Sequence, residues 1–262
     1  MLGTEQAILE DSWIKSLFYR AFGNVHIGER IRAANVHKAL RSHDLSGCAV
    51  LDAGCGTGVL SFDLAQRFPE AKIVSIDLDS KLIQRTKIVI AKRKIRNVNF
   101  DFKDILHLDK TEQFNLIMCI DVLEHIENDV KAVRKLSNSM KKGGILILHV
   151  PQKFQCHPVR NMEWRGHHVR EGYTLPEIVK LLERENLQIS WIWNTFGVYG
   201  AIADEIEYLL WKIKPIWLLS LPFLLLFAWL DTFFKHSRGN GLLIKAKKPQ
   251  IALQEKQDVG QS

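Results

Sequence analysis

VLDAGCGTGVLSFDLA, residues 50–65, runs from an apolar stretch through three glycines into a helical pattern. Missing side chains at Gly54, Gly56 and Gly58 let the backbone turn tightly and lie against a ligand, and the helix that follows offers free backbone N–H groups. Outward from this loop, short apolar runs at 48–53, 72–76, 97–102, 113–120 and 143–150 alternate with helical stretches at about 58–68, 80–93 and 128–141. That alternation predicts a doubly wound α/β fold: parallel strands with crossover helices on both faces. Gly143 and Gly144, after Lys141 and Lys142, are read as ending the third helix, where cations suit the helix C-terminus.

Two helices, 5–22 and 27–43, precede the first strand and are expected to form an N-terminal cap over 1–45. After Pro151 a loop rich in His and Arg runs to about 172. Thr174 and Glu177 then make a capping box with Pro176 in the first turn of a helix ending near Asn186. Strands QISWIWNTF, 188–196, and GLLIKAK, 241–247, complete one domain over 46–248, with a hydrophobic helical insertion at 197–238 and a polar tail at 249–262.

Hydrophobic content of 47% and charged content of 25% are ordinary for a globular chain of 262 residues. The net charge of +7 suits nucleic acid or an anionic membrane. No RNA-binding motif and no basic stripe interleaved with aromatics is present, so nucleic acid is not expected as a partner. Cys48, Cys55, Cys119 and Cys156 form no CxxC pair and read as free thiols in a reducing compartment. MLGTEQAILEDSW lacks a basic region followed by an apolar run, so a cytoplasmic location is expected.

Charge narrows the ligand of the glycine loop. A dinucleotide loop, GxGxxG, holds an anionic pyrophosphate. Here the spacing is GxGxG, and Asp52 stands two residues before Gly54. A carboxylate at that place repels pyrophosphate and attracts a ligand bearing an ammonium and a sulfonium, which S-adenosylmethionine (SAM) carries. The second strand, KIVSIDLD, ends in Asp77, placed to accept hydrogen bonds from ribose hydroxyls. Asp79 could share that role, although Asp79 or Ser80 fits a helix N-cap better. After the third strand, Asp104 could accept from an adenine amino group; an Asp in a loop is also a common turn residue.

These segments resemble the class I SAM-dependent methyltransferases, strongly over 45–150 and more loosely over 165–248. VLDAGCGTG looks like the family's first motif, VSIDLD its second, FNLIMCIDVLEHI its fourth-strand motif and KKGGILILHVP its fifth-strand segment. HHVREGYTLPEIVKLLERENLQI resembles the tail of the branch that includes ubiquinone-type and other small-molecule methyltransferases. The resemblance implies a Rossmann-like, mostly parallel seven-stranded sheet whose last strand, 241–247, returns antiparallel between the fifth and sixth. It also implies methionine-end contacts near Gly54, ribose contacts from Asp77, and adenine contacts around Leu78, Asp104 and Ile105. Ile120 and Asp121 would flank the sulfonium.

Methyl transfer is an in-line displacement with a good leaving group already in place, so the protein aligns the partners and excludes water. A general base helps where the acceptor is a hydroxyl. Asp121, Glu124 and His125 follow the fourth strand, at the edge where ligands bind; His125 reads more readily as a residue capping or packing on the next helix. His168 is the preferred base, and Arg170 either orients an acidic group or is solvated. Cys156, His157, His167 and His168 have no structural zinc-finger spacing, and no metal is expected. Lys92, Arg93, Lys94 and Arg96 read as a solvated helix end.

KPIWLLSLPFLLLFAWLDTFFKH, 214–236, is the second distinctive stretch. Its apolar run from Ile216 to Leu230 is shorter than the ~20 residues of a spanning helix. Trp211, Trp217 and Trp229 favour the headgroup level, and Lys212, Lys214, Lys235, His236 and Arg238 flank the run. A single crossing would strand 241–247 on the far side. The segment is therefore expected to lie on a membrane through 211–238, dip into it, cover the active site, or pack as a helical pair or dimer interface. The expected activity is methylation at oxygen or carbon of a small, lipid- or isoprenoid-like acceptor, with the protein peripheral on the inner face of the membrane. A soluble sugar or glycan precursor, or a SAM-binding module without catalysis, are the other readings.

Overall fold

The computed structural model describes residues 3–9, 12–109, 111–159 and 168–250. Its strands are β1 (Ala49–Ala53), β2 (Lys72–Asp77), β3 (Val98–Phe102), β4 (Phe114–Ile120), β5 (Met140–Pro151), β6 (Gln188–Thr195) and β7 (Gly241–Lys247). They form one seven-stranded sheet in the order β3-β2-β1-β4-β5-β7-β6. Neighbours from β3 to β5 are parallel, and β7 lies antiparallel between β5 and β6. The strand order reverses between β1 and β4, which opens a crevice at their carboxyl ends.

The helices are α1 (Trp13–Phe22), α2 (Ile27–Leu40), α3 (Val59–Arg67), α4 (Ser80–Arg93), α5 (Asp129–Ser139), α6 (Leu175–Arg184), α7 (Val198–Leu210) and α8 (Lys214–Phe233). Two apolar layers sandwich the sheet. On one face Leu51, Ile117 and Leu148 meet Leu136 of α5 and Ile178 and Leu182 of α6. On the other, Val50, Ile73, Phe100 and Met118 meet Val36 of α2, Phe62 of α3 and Val89 of α4. Burial on both faces is why these strands read as near-continuous apolar runs rather than alternating ones.

Local chemistry fixes the ends of the elements. Asp79 caps α4 by accepting from the N–H groups of Lys81 and Leu82, the cap role weighed for it in the sequence. Thr174 and Glu177 form the expected capping box. The third crossover helix ends earlier than the sequence suggested. Ser139 is its last residue, and Met140 already pairs with Phe114, ahead of a bulge that resumes at Leu116 and Ile145. Gly143, at φ +76°, permits that irregularity, so Lys141 and Lys142 lie in β5 and do not complement a helix dipole. The amino-terminal region is a 3-10 turn, Thr4–Ile8, followed by α1 rather than one helix. Lys92 and Arg93 reach back to the carbonyls of Ile8 and Thr4, so the basic run at the end of α4 holds the amino-terminal turn as well as facing water. All four cysteines are free. Most of the polar tail, 251–262, lies outside the described residues.

The insertion forms α7 and α8. Trp217, Leu221, Leu224, Ala228 and Asp231 of α8 are buried at helical spacing. Leu224 and Ala228 pack with Ile27 and Ile31 of α2 and Ala203 of α7. Gly200 of α7 donates its N–H to Asp231 at 2.8 Å, and the absence of a Cβ there lets the two helices approach. By length and composition α8 could cross a membrane. Its pairing through β7 back into the sheet, and its packing along α2 and α7, exclude a single crossing.

Candidate active site

A cavity of about 1390 Å³ opens at the carboxyl ends of β1, β2 and β4. Its floor is the glycine loop, and its far wall comes from α2, α7 and the start of β5's outgoing loop.

The loop end is built by backbone geometry. Gly54, Gly56 and Gly58 have φ of +84°, +52° and +77°. A Cβ on Gly54 would sit 2.3 Å from Cγ2 of Val122, and one on Gly58 2.7 Å from the Phe100 ring, so both glycines are required by space as well as by conformation. The N–H groups of Gly54 and Cys55 donate to the Ile76 carbonyl at 2.8 and 3.0 Å. Asp77 accepts from the N–H of Gly56 at 2.7 Å on one oxygen and from that of Asp79 at 2.8 Å on the other. It therefore fixes the loop while facing the cavity with its remaining lone pairs. Leu78, Asp104, Ile105 and Ile120 line the same end. Asp104 caps the turn Ile105–His107 by accepting from Leu106 at 2.8 Å, and its second oxygen lies 3.0 Å from Nδ1 of His107.

Asp52 differs from the picture of a carboxylate at the loop's mouth. It lines the cavity from beneath, almost fully buried, and accepts a hydrogen bond from the Ser61 hydroxyl. Burial pushes its carboxyl up to about 6, against the Ser61 bond, with Asp77 adding in the same direction. Its field is felt through the loop, not by direct exposure.

The other end is a polar wall. Asp121, at φ +52°, ion-pairs with Arg32 of α2 and with Nδ1 of His149 in β5. Nε2 of His149 lies 2.8 Å from the Thr195 hydroxyl. Burial works to raise the Asp121 carboxyl, but Arg32 and His149 win and hold it well below the usual carboxylate range. Glu124 is 1% exposed and its Oε2 has no hydrogen-bond partner among the described residues. Burial and the neighbouring Asp121 charge push it up to about 8. The His125 and His168 rings meet edge-on, with centroids 4.5 Å apart. Burial, then His125, lowers the pKa of His168, which keeps it neutral and able to accept a proton near pH 7.

Asp121, His125 and His168 are thus brought to one cavity wall, with Glu124 among them. Ligand atoms of Glu124, His125 and His168 lie within 4.8 Å of one another, a spacing that could hold a cation. Displacement at a sulfonium methyl needs none, and only part of the set weighed for zinc falls within the described residues. His157 pairs with Glu205 at 2.8 Å, Cys156 is exposed, and His167 lies outside the described residues. Arg170 proves structural. It donates to the carbonyls of Leu123 at 2.9 Å and Glu127 at 3.0 Å and pairs with Asp129 at 2.9 Å, stapling the turn that carries Glu124 and His125.

Several wall residues escaped the sequence reading. Arg32, Asp204, Glu205, Glu207 and Tyr208 come from α2 and α7. Glu207 accepts from the Ile27 N–H at 2.7 Å and lies 3.3 Å from His26. The Glu207 carboxylate beside the ring chiefly raises the His26 pKa, against burial. His26 also packs against Trp211, with ring centroids 4.9 Å apart and planes tilted by 43°. A signal existed for His149 alone: an imidazole inside the apolar run ILILHV.

Two outcomes follow. Asp77→Ala is expected to weaken SAM binding by about 1–3 kcal/mol, roughly 5- to 150-fold, through lost hydrogen bonds to a charged group. Calorimetric titration checks it, and unchanged affinity would remove Asp77 from the site. Glu124 binds a proton in the folded state up to about pH 8, whereas the unfolded chain releases it near the ordinary glutamate value. Its contribution to stability is therefore full below that lower value and is lost as pH rises through the window. Asp52 acts with the same sign up to about 6. Glu124→Gln is expected to flatten the upper part of that slope in urea melts compared at about pH 6 and about pH 8.

Comparison with known proteins agrees with this construction. Residues 44–196 match a family model described as a methyltransferase domain. The ubiquinone biosynthesis O-methyltransferase of Xanthomonas oryzae pv. oryzae is 25% identical over 191 residues, 66% of this chain and 78% of that protein. The same-named protein of Rickettsia bellii is 29% identical over 129 residues, 48% of this chain and 52% of that one. Phosphoethanolamine N-methyltransferase 2 of Haemonchus contortus, solved with S-adenosyl-L-methionine, superposes with a TM-score of 0.65 at 17% identity, covering 95% of this chain and 61% of that one. The [4+2]-cyclase SpnF gives 0.61 at 18% identity, covering 84% and 80%. At such identities the superpositions speak to the fold.

Proposed function

The chain belongs to the class I SAM-dependent methyltransferases, and from that premise we propose that it methylates an oxygen or carbon of a small lipophilic acceptor delivered from a membrane surface. One observation carries this reading: the acceptor end of the cavity runs into an outward apolar face. Tyr208, Trp211 and Lys212 line the cavity rim. The chain then continues into α8, whose Ile216, Leu219 and Phe223 are exposed. An amphiphile could place its polar end against the histidines and carboxylates of the wall while its apolar part follows this face.

An acceptor hydroxyl suits the wall better than a carbon acid. As the C–S bond breaks and the O–C bond forms, the hydroxyl proton passes to the neutral imidazole of His168. Arg32, Asp121 and His149 hold the wall rigid on the other side, which favours alignment of the reacting atoms. Free cysteines suit a reducing compartment, in keeping with a peripheral position on the inner face of the membrane.

The polar wall also supports a second reading, a soluble sugar or glycan precursor rich in hydroxyls. Untargeted mass spectrometry of a deletion strain separates the two. Loss of one CH₂ from a species in the lipid extract is the expected result. An unchanged lipid extract with the same loss in water-soluble glycan precursors would replace the first reading by the second.

A further inference from the structure

Helix α1, WIKSLFYRAF, buries none of its residues fully. Phe18 and Tyr19 lean on Trp217, Leu221 and Leu225 of α8, with Phe18 and Trp217 ring centroids 6.3 Å apart. The helix is thereby fixed beside the first half of α8. Trp13, Ile14 and Leu17 of the same helix remain exposed at 75%, 61% and 58%. On α8, Leu219 and Phe223 are exposed at 77% and 67%, with Ile216, Leu226, Trp229 and Phe233 continuing the same outward face. A soluble monomer rarely presents so much apolar surface on two neighbouring helices without a partner.

Charge selects the partner. Helix α1 contains no Asp or Glu and carries Lys15 and Arg20. The one carboxylate of α8, Asp231, is buried against Gly200. Lys212 precedes α8, Lys214 is its first residue, and Lys235 and Arg238 follow it. Apolar faces with exposed tryptophan, rimmed by cations and, among the described residues of the two helices, free of outward carboxylates, match a bilayer interface with anionic headgroups.

We infer that α1 and α8 together form one docking surface for an anionic bilayer, with α1 as a second foot beside the insertion. The inference rests on the membrane reading above and extends it to a segment near the amino terminus. Two helices joined by aromatic packing would set the orientation of the cavity rim against the bilayer, which a single helix free to roll would not.

The test is flotation of the full chain with vesicles of phosphatidylcholine alone and of phosphatidylcholine with a quarter phosphatidylglycerol. Wild type is expected to float with the anionic vesicles, to release as salt rises, and to float at least tenfold less with the neutral ones. The variant Trp13→Ser/Ile14→Ser/Leu17→Ser is expected to lose at least tenfold in anionic-vesicle binding, as is Leu219→Ser/Phe223→Ser. Both should keep wild-type SAM affinity, which verifies that they fold. If the α1 variant floats like wild type while the α8 variant does not, α1 is no part of the surface and the membrane reading stands alone. If wild type floats with neither vesicle and instead dimerises with rising concentration, the face is a contact between copies, and both the inference and the membrane reading fall. Equal flotation on the two vesicle types overturns the choice of an anionic partner.

Discussion

Replacing His168 by alanine is expected to slow methyl transfer by roughly two to four orders of magnitude, the usual contribution of a positioned general base, while leaving SAM affinity within about twofold. His168 lines the cavity and meets His125 edge-on, on the wall that also carries Asp121. Burial and the neighbouring imidazole favour its neutral form, so it is ready to accept a proton at neutral pH. It shares no hydrogen bond with the glycine loop or with Asp77, so the cofactor end should not register its loss. Single-turnover kinetics with saturating SAM, together with calorimetry of the variant, separate the two effects. Equal losses in SAM affinity and turnover would make His168 a structural residue, and normal turnover would remove it from the mechanism.

The second large effect is on stability. Asp121→Ala is expected to cost about 1–3 kcal/mol, because it removes the nearest counter-charge of Arg32, leaving Asp204 and Glu29 near it, and takes away the hydrogen-bond partner of His149. Removing one member of such a pair is worse than never having built it. Asp121 also holds a left-handed backbone, φ +52°, which Asn tolerates far better than Ala. Asp121→Asn should therefore retain the backbone and a hydrogen bond to His149 and lose only the charge opposite Arg32. Urea melts are expected to rank wild type above Asn and Asn above Ala. Equal stability of Ala and wild type would mean that the Arg32–Asp121–His149 chain does not tie α2 to the sheet.

The sheet was legible because its strands are buried on both faces and its crossovers follow helical periodicity; β1, β2, β4 and β7 lie within a residue of their expected limits. The cofactor end was legible for a related reason. Strand, glycine turn and helix are contiguous in the chain, and Asp77 sits where the next strand must end beside them. The acceptor wall was only half visible. Asp121 and His125 follow β4 directly, but Arg32, Glu205 and Glu207 reach the cavity through the packing of α2 and α7, which no local pattern records. Asp52 lies deeper than the mouth of the loop, because it sits inside β1, nearly fully buried, with Ser61 of α3 bonded to its carboxylate. In β5, a bulge beside Gly143 let the strand begin before the glycines that looked like a helix stop.

The acceptor's origin is the central claim, and one labelling measurement addresses it most directly. Purified protein is incubated with methyl-labelled SAM and membrane vesicles from its own cells, and the label is followed into organic and aqueous phases. The account predicts label in an organic-soluble product that forms only when vesicles are present and disappears with His168→Ala. Label confined to the aqueous phase, formed equally well from a vesicle-free soluble extract, would contradict it.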